Sequence, residues 1–229
     1  MLEALALFPL GHAVLFPGMS LALHVFEERY RELVRTLVEQ DDGAPRRFGV
    51  IAIRQGWEVG ADAVRALHRV GCTAELRRVS RYPDGRFDLV TVGVQRFRLA
   101  AVDDRSRPYL VGQVEWLPPD PRDDIAGQRL TVPVTALFGE YVSAAGALRA
   151  GGAARTTAEL PADPSTLSYL VASTAVLSLE DRQALLETNS AAERLRAELR
   201  MLKRETTMVR RLRALPVPVA ELQVTQSLS

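Results

Sequence analysis

The residues of this chain that could do acid–base, nucleophilic or metal chemistry are few and scattered. His12, His24 and His68 are the three histidines. None has a partner at metal-ligand spacing, such as the H-E-x-x-H pair that sets two imidazoles on one helical face. His24 stands at the polar phase of an alternating run, which predicts surface or packing duty. Cys72 is the single cysteine. Its mid-strand position predicts a buried structural thiol, and a lone cysteine forms no internal disulfide. Asp103-Asp104 and Asp123-Asp124 have the right chemistry for a cation. Turn residues and arginines surround both, which favours solvated loops. There is no G-x-x-x-x-G-K-[ST] phosphate loop and no nucleophile elbow. Lys203 is the only lysine and lies in a charged helical run. A Ser–Lys nucleophile needs a desolvated lysine beside its serine, and no serine near Lys203 has a Gly-rich setting. The expectation is no catalytic residue, no cofactor and no metal site.

Binding offers more. Phe16, Pro17, Met19, Trp57, Tyr82 and Trp116 stand in or beside turn signals. Exposed aromatic and Met side chains suit promiscuous recognition, because they offer area and adaptable shape. Phe16 and Met19 are equally suited to fill a core. Trp57, in Gln55-Gly56-Trp57-Glu58-Val59-Gly60, reads as a loop residue and is the first choice for exposure. The basic run from Arg194 to Arg213 has two readings. One is an RNA-facing helix. The other is a solvated face with pairs of the Arg194–Glu198 kind. Aromatics for base stacking are absent from it, so RNA is the secondary expectation.

The elements that must position these residues are legible from period and punctuation. Residues 5–34 open with two short apolar runs that read as strands, each broken by a Phe-Pro step, Phe8-Pro9 and Phe16-Pro17. Proline costs least at a strand end, where no ladder N–H is lost. Pro17-Gly18 fits a type II turn with positive φ at the glycine. Leu21, Leu23 and Val25 then alternate with Ala22 and His24 as in a half-buried strand. From Glu27 the period becomes helical through Tyr30, Leu33, Val34 and Leu37, with acids in the first turn. Strands are predicted at Phe48–Ile53, Leu67–Val79, Phe87–Val94, Phe97–Val102 and Tyr109–Leu117, with a turn at Pro83-Asp84-Gly85. The run of 118–124 reads as a linker. Helix follows: 125–148, which Pro133 should start or kink; one capped by Asp163 with Pro164 at its first position; one capped by Ser178; and one opened by Ser190 and Glu193 as a capping box. The Ala/Gly-rich 144–162 reads as a flexible loop, and 216–229 as a frayed tail.

The 229 residues carry a net charge of +1, which gives no general drive toward nucleic acid or anionic membrane. No stretch approaches the ~20 apolar residues of a membrane helix. The N-terminus lacks a basic n-region and so does not read as a signal peptide. One cysteine and no leader point to the cytoplasm.

The ordered motifs resemble the N-terminal substrate-binding domain of the Lon protease family. Leu7-Phe8-Pro9, Phe16-Pro17-Gly18, Leu23-His24-Val25-Phe26-Glu27 and Arg29-Tyr30-Arg31 match its opening. Val70-Gly71-Cys72-Thr73-Ala74-Glu75 and Val92-Gly93-Val94-Gln95-Arg96-Phe97-Arg98 are similar to its later strands. Asp163-Pro164 and Leu179-Glu180 resemble its helical part. The resemblance implies an α+β chain: a PUA-like β pseudo-barrel with one helix over 1–118, a linker at 119–124, a helical bundle over 125–215 and a flexible tail. It also implies a bacterial, non-catalytic adaptor or regulator in protein quality control, lacking the ATPase and protease modules. Its partners would be unfolded or degron-bearing polypeptides, with a protease or chaperone beside them. The surface that would capture them is the set Phe16, Pro17, Met19, Trp57, Tyr82 and Trp116.

Overall fold

A computed structural model describes residues 2–39, 45–56, 64–120, 124–146 and 160–212. The chain divides into two compact units, Met1–Pro119 and Asp120–Ser229. The first is β-rich. Its strands are β1 (Glu3–Leu10), β2 (Ser20–Val25), β3 (Arg47–Gly56), β4 (Val64–Leu67), β5 (Val70–Arg81), β6 (Phe87–Asp103) and β7 (Val111–Trp116). One helix, α1 (Glu28–Val38), interrupts them.

The strands form one sheet that curls back on itself. β1 pairs antiparallel with β7 through Glu3–Ala6, then parallel with β3 through Leu7–Leu10. β3 pairs with β5, β5 with β6, and β6 with β7. The ring is thus β1–β7–β6–β5–β3–β1. The long β6 makes it possible: it pairs with β5 along most of its length, and with β2 and then β7 on its other edge. Inside the ring, Leu5, Leu7, Ile51, Phe97 and Val114 pack together. Glycine is required where strands crowd. A Cβ on Gly93 would lie 2.1 Å from the Phe16 carbonyl oxygen.

Local chemistry accounts for most element ends. Gly18 has φ 77°, and Met19 N–H donates to the Phe16 carbonyl across the Pro17-Gly18 turn at 3.1 Å. Gly85 has φ 84° at the hairpin tip, as the Pro-Asp-Gly signal predicts. Helix α1 turns Tyr30, Leu33, Val34 and Leu37 inward, the expected stripe. Three sequence expectations change. The apolar run ending at Phe16 forms no strand. Residues 67–79 are two strands, because β4 ends at Leu67 and β5 starts at Val70. Phe87–Val94 and Phe97–Val102 are one strand of 17 residues.

The second unit is helical: α2 (Ile125–Gly146), α3 (Pro164–Thr174), α4 (Leu179–Glu187) and α5 (Ala191–Leu212). Asp163 accepts from Thr166 N–H and Ser178 from Asp181 N–H, so both predicted caps form. Pro133 lies inside α2 and does not start it.

Leu195, Leu202 and Val209 of α5 are buried, and two charged residues are buried beside them. Arg194 and Glu198 are both fully buried, which corrects their reading as a solvated i,i+4 pair. Arg194 is held from every side. Its guanidinium donates to both carboxylate oxygens of Asp120, to Ser168 Oγ at 2.9 Å and to the Thr188 carbonyl at 3.0 Å. It also lies 4.3 Å from the Tyr169 ring centroid. Glu198 receives no hydrogen bond on either carboxylate oxygen. Burial therefore pushes its carboxyl well above the usual range, against a smaller opposing pull from Arg194.

Candidate functional site

Strand β2 borders a cavity in the β-unit. Its Leu21, Leu23 and Val25 turn toward the interior, while Ala22 and His24 face out. The same alternation carries one residue past the strand to Phe26, which is 52% exposed. Beneath lies a groove of about 200 Å³, lined by Phe8–Leu10 of β1, Ala22–Phe26, and Glu27 and Tyr30 at the start of α1. Tyr30 stacks on Phe8 at 4.3 Å and floors it. Small-molecule sites usually exceed ~300 Å³, so this volume suits one or two apolar side chains.

The outer lip is an aromatic cluster built around a carboxylate. Asp88, opposite His24 in the β2–β6 ladder, bonds the His24 ring nitrogen Nδ1 at 2.7 Å and accepts from the Tyr82 hydroxyl at 2.5 Å. These two bonds, Tyr82 first, hold the Asp88 carboxyl below its usual range, and the same contact raises the Tyr82 phenol. The His24 ring stacks near Phe26 at 6.3 Å and meets the Tyr82 ring edge-on at 6.0 Å. Arg86 lies over Tyr82 at 5.6 Å. Three rings are thus fixed in place on the surface, two of them by hydrogen bonds to one acid. Cross-strand pairing positions His24 and Asp88, and the tight 83–85 turn returns Tyr82 toward both.

The six predicted surface residues do not form one patch. Tyr82 is 39% exposed and belongs to this lip. Phe16 is fully buried, so it serves the core and not the surface. Pro17 and Met19 are half-buried in the turn at the far end of β2. Trp116 is half-buried against the Leu5–Phe97 cluster. Trp57 lies outside the described residues. His24 and Phe26, which complete this lip, are not among the six residues singled out from the sequence. The signal was present in the alternation of β2, because a phenylalanine at the outward phase must be exposed or covered by a partner.

Little of the chemistry considered from sequence finds a setting. Among the described residues no three of His, Cys, Asp and Glu gather to hold a metal, and no helix is long and apolar enough to cross a membrane. Asp103 accepts from the backbone of Arg105 and Ser106 in an exposed turn. Asp124 accepts from Gly127 N–H at the start of α2, and Asp123 lies outside the described residues. In the basic run, Arg194 is buried on Asp120, Arg204 binds Asp181 and Glu205, and Arg210 binds Glu140. Cys72 is buried, and desolvation pushes its thiol up to about 12. We expect a maleimide to leave Cys72 unmodified at pH 8 in the folded protein and to modify it fully in urea, as read by mass spectrometry, since the thiolate is the reactive form. Rapid labelling of the folded protein would show the thiol to be accessible.

Residues 4–204 match the family model described as the ATP-dependent protease La (LON) substrate-binding domain. Lon protease 2 of Herpetosiphon aurantiacus is 32% identical over 193 residues, which cover 84% of this chain and 23% of that protein. Lon protease 1 of Thermus thermophilus is 28% identical over 202 residues, 88% of this chain and 24% of that protein. The chain therefore spans about a quarter of the length of these relatives. A crystal structure of a Lon N-terminal domain protein from Xanthomonas campestris superposes with TM-score 0.62 at 27% identity, covering 86% of this chain and 98% of that one. The N-terminal domain of Mycobacterium avium complex Lon protease shares the fold, with TM-score 0.62 at 18% identity over 88% of this chain and 98% of its own. With a curled β-sheet unit, a helical unit and a family match over nearly its whole length, the chain belongs to the Lon substrate-binding domain family.

Proposed function

We propose that this protein is a non-catalytic module that captures unfolded or degron-bearing polypeptide segments, and that it does so at the β2 groove. It would serve as an adaptor or regulator in protein quality control. The single observation that supports this most is the groove with its lip: walls of mixed apolar and polar character with room for one or two side chains, and Phe26 exposed beside them. Membership of a substrate-binding family favours polypeptide as the occupant. A shallow site with few anchors favours weak binding, because affinity follows buried hot spots and not area alone. The RNA reading loses ground, since Arg194, Arg204 and Arg210 are occupied by acids.

The test is fluorescence anisotropy with labelled, reduced and carboxymethylated lactalbumin as an unfolded probe. The wild-type chain is expected to bind it. Phe26→Ala is expected to weaken binding about tenfold, the loss of ~1.4 kcal/mol for one exposed anchor. Equal binding by the variant would remove the groove from the proposal, and no binding by the wild type would remove the function.

A further inference from the structure

Resting on that recognition reading, we propose its mode: the groove takes an extended, uncharged polypeptide segment as an added strand along the free edge of β2. Three observations meet here. The first is the unpaired edge. Among the described residues β2 pairs only with β6. Gly93 N–H donates to the Met19 carbonyl, which makes Met19 and Gly93 a hydrogen-bonded pair in the register of that ladder. In an antiparallel ladder such pairs alternate with non-bonded ones. Leu21, Leu23 and Val25 therefore bond to β6, and the N–H and C=O groups of Ala22 and His24 face outward along the groove.

The second observation concerns the opposite wall. Leu7 N–H donates to the Leu110 carbonyl on the β7 side of β1. Alternation then turns the Pro9 backbone to that same side, beyond the end of the β1–β7 pairing. Proline has no N–H, so this wall cannot supply a full ladder to β2. The barrel is left unzipped at this seam, with apolar Phe8–Leu10 facing a strand edge that still has hydrogen bonds to make.

The third is charge. The ionic groups around the seam are paired among themselves: His24 with Asp88, Arg86 with Asp84, Arg29 with Glu27 and Arg31 with Glu28. A charged side chain entering the groove would lose water without gaining a counter-ion. An uncharged segment avoids that cost, and its amides can bond to the β2 edge. Main-chain bonds would give affinity that tolerates many sequences, and the 200 Å³ cavity would favour an apolar side chain at alternate positions.

The experiment uses a blocked nine-residue peptide alternating Val with Ser and Thr, titrated into the full chain. Two further peptides of identical sequence carry N-methyl groups on alternate amides, one set in each phase. Strand addition requires only the amides facing β2, so one methylated peptide is expected to bind at least tenfold more weakly while the other stays within about twofold of the parent. Amide exchange at Ala22 and His24 should slow on binding of the parent peptide. Equal binding by both methylated peptides, with no slowing, would overturn strand addition and leave side-chain recognition standing. No binding by the parent peptide or by unfolded lactalbumin would overturn both. Protection of Ala22 and His24 that grows with protein concentration alone would overturn the assignment by making a second copy of this chain the occupant.

Discussion

Replacing Arg194 by Ala is expected to destabilise the helical unit by about 3–5 kcal/mol, the cost of stranding one partner of a buried ion pair. Asp120 and Ser165, Ser168 and Thr188 all meet at this guanidinium, and Tyr169 packs on it. Arg194→Ala leaves the nearly buried Asp120 carboxylate without its cation. Arg194→Lys is expected to recover only part of the loss, since a single ammonium cannot reproduce the planar fork of donors. Urea unfolding followed by helical circular dichroism reads both variants. A loss below 1 kcal/mol for Arg194→Ala would show that the cluster is not a keystone of this unit.

Replacing Glu198 by Leu should have the opposite sign. The carboxyl is fully buried and receives no hydrogen bond, so at neutral pH the fold carries the cost of either desolvating its charge or keeping its proton. The unfolded group titrates near 4.5, and burial raises it in the fold. The contribution to stability is then fully present below the unfolded value and is lost as pH rises through the folded one. Glu198→Leu is expected to gain about 1–3 kcal/mol at pH 7, seen as a thermal midpoint several degrees higher, and to gain less at pH 4. Glu198→Gln should flatten the same pH dependence while leaving an amide buried. Destabilisation of the Leu variant at pH 7 would mean that the carboxylate has a partner worth keeping.

These two residues show where sequence stops being informative. The caps of the helical unit were legible: Asp163 and Ser178 cap, Pro164 opens α3, and α5 begins after Ser190, whereas Pro133 lies inside α2. Spacing within α5 made Arg194 and Glu198 look like a surface pair, because i,i+4 geometry is the same on either face. The fact that decides the face is Asp120, 74 residues away. The β-unit has the same division. Pro17-Gly18, the alternation of β2 and the stripe of α1 depend on near neighbours and were readable. The 17-residue β6 was not, because Gly93 and the Gln95-Arg96 step interrupt the apolar alternation while pairing with β5 and β7 carries the ladder past them. Phe16 was a coin toss between core and surface, settled by burial against the β6 strand around Gly93. The groove itself has no sequence signature. It exists because two edges, of β1 and β2, come together without pairing.

The proposed event is the docking of unfolded polypeptide on the β2 seam. Its most direct test is a ¹⁵N backbone titration of the full chain with unlabelled, reduced and carboxymethylated lactalbumin. The predicted result is a contiguous set of shift changes at Ala22–Phe26, Tyr82 and Asp88, with α5 unmoved. Changes confined to the helical unit, or none at saturating probe, would contradict it.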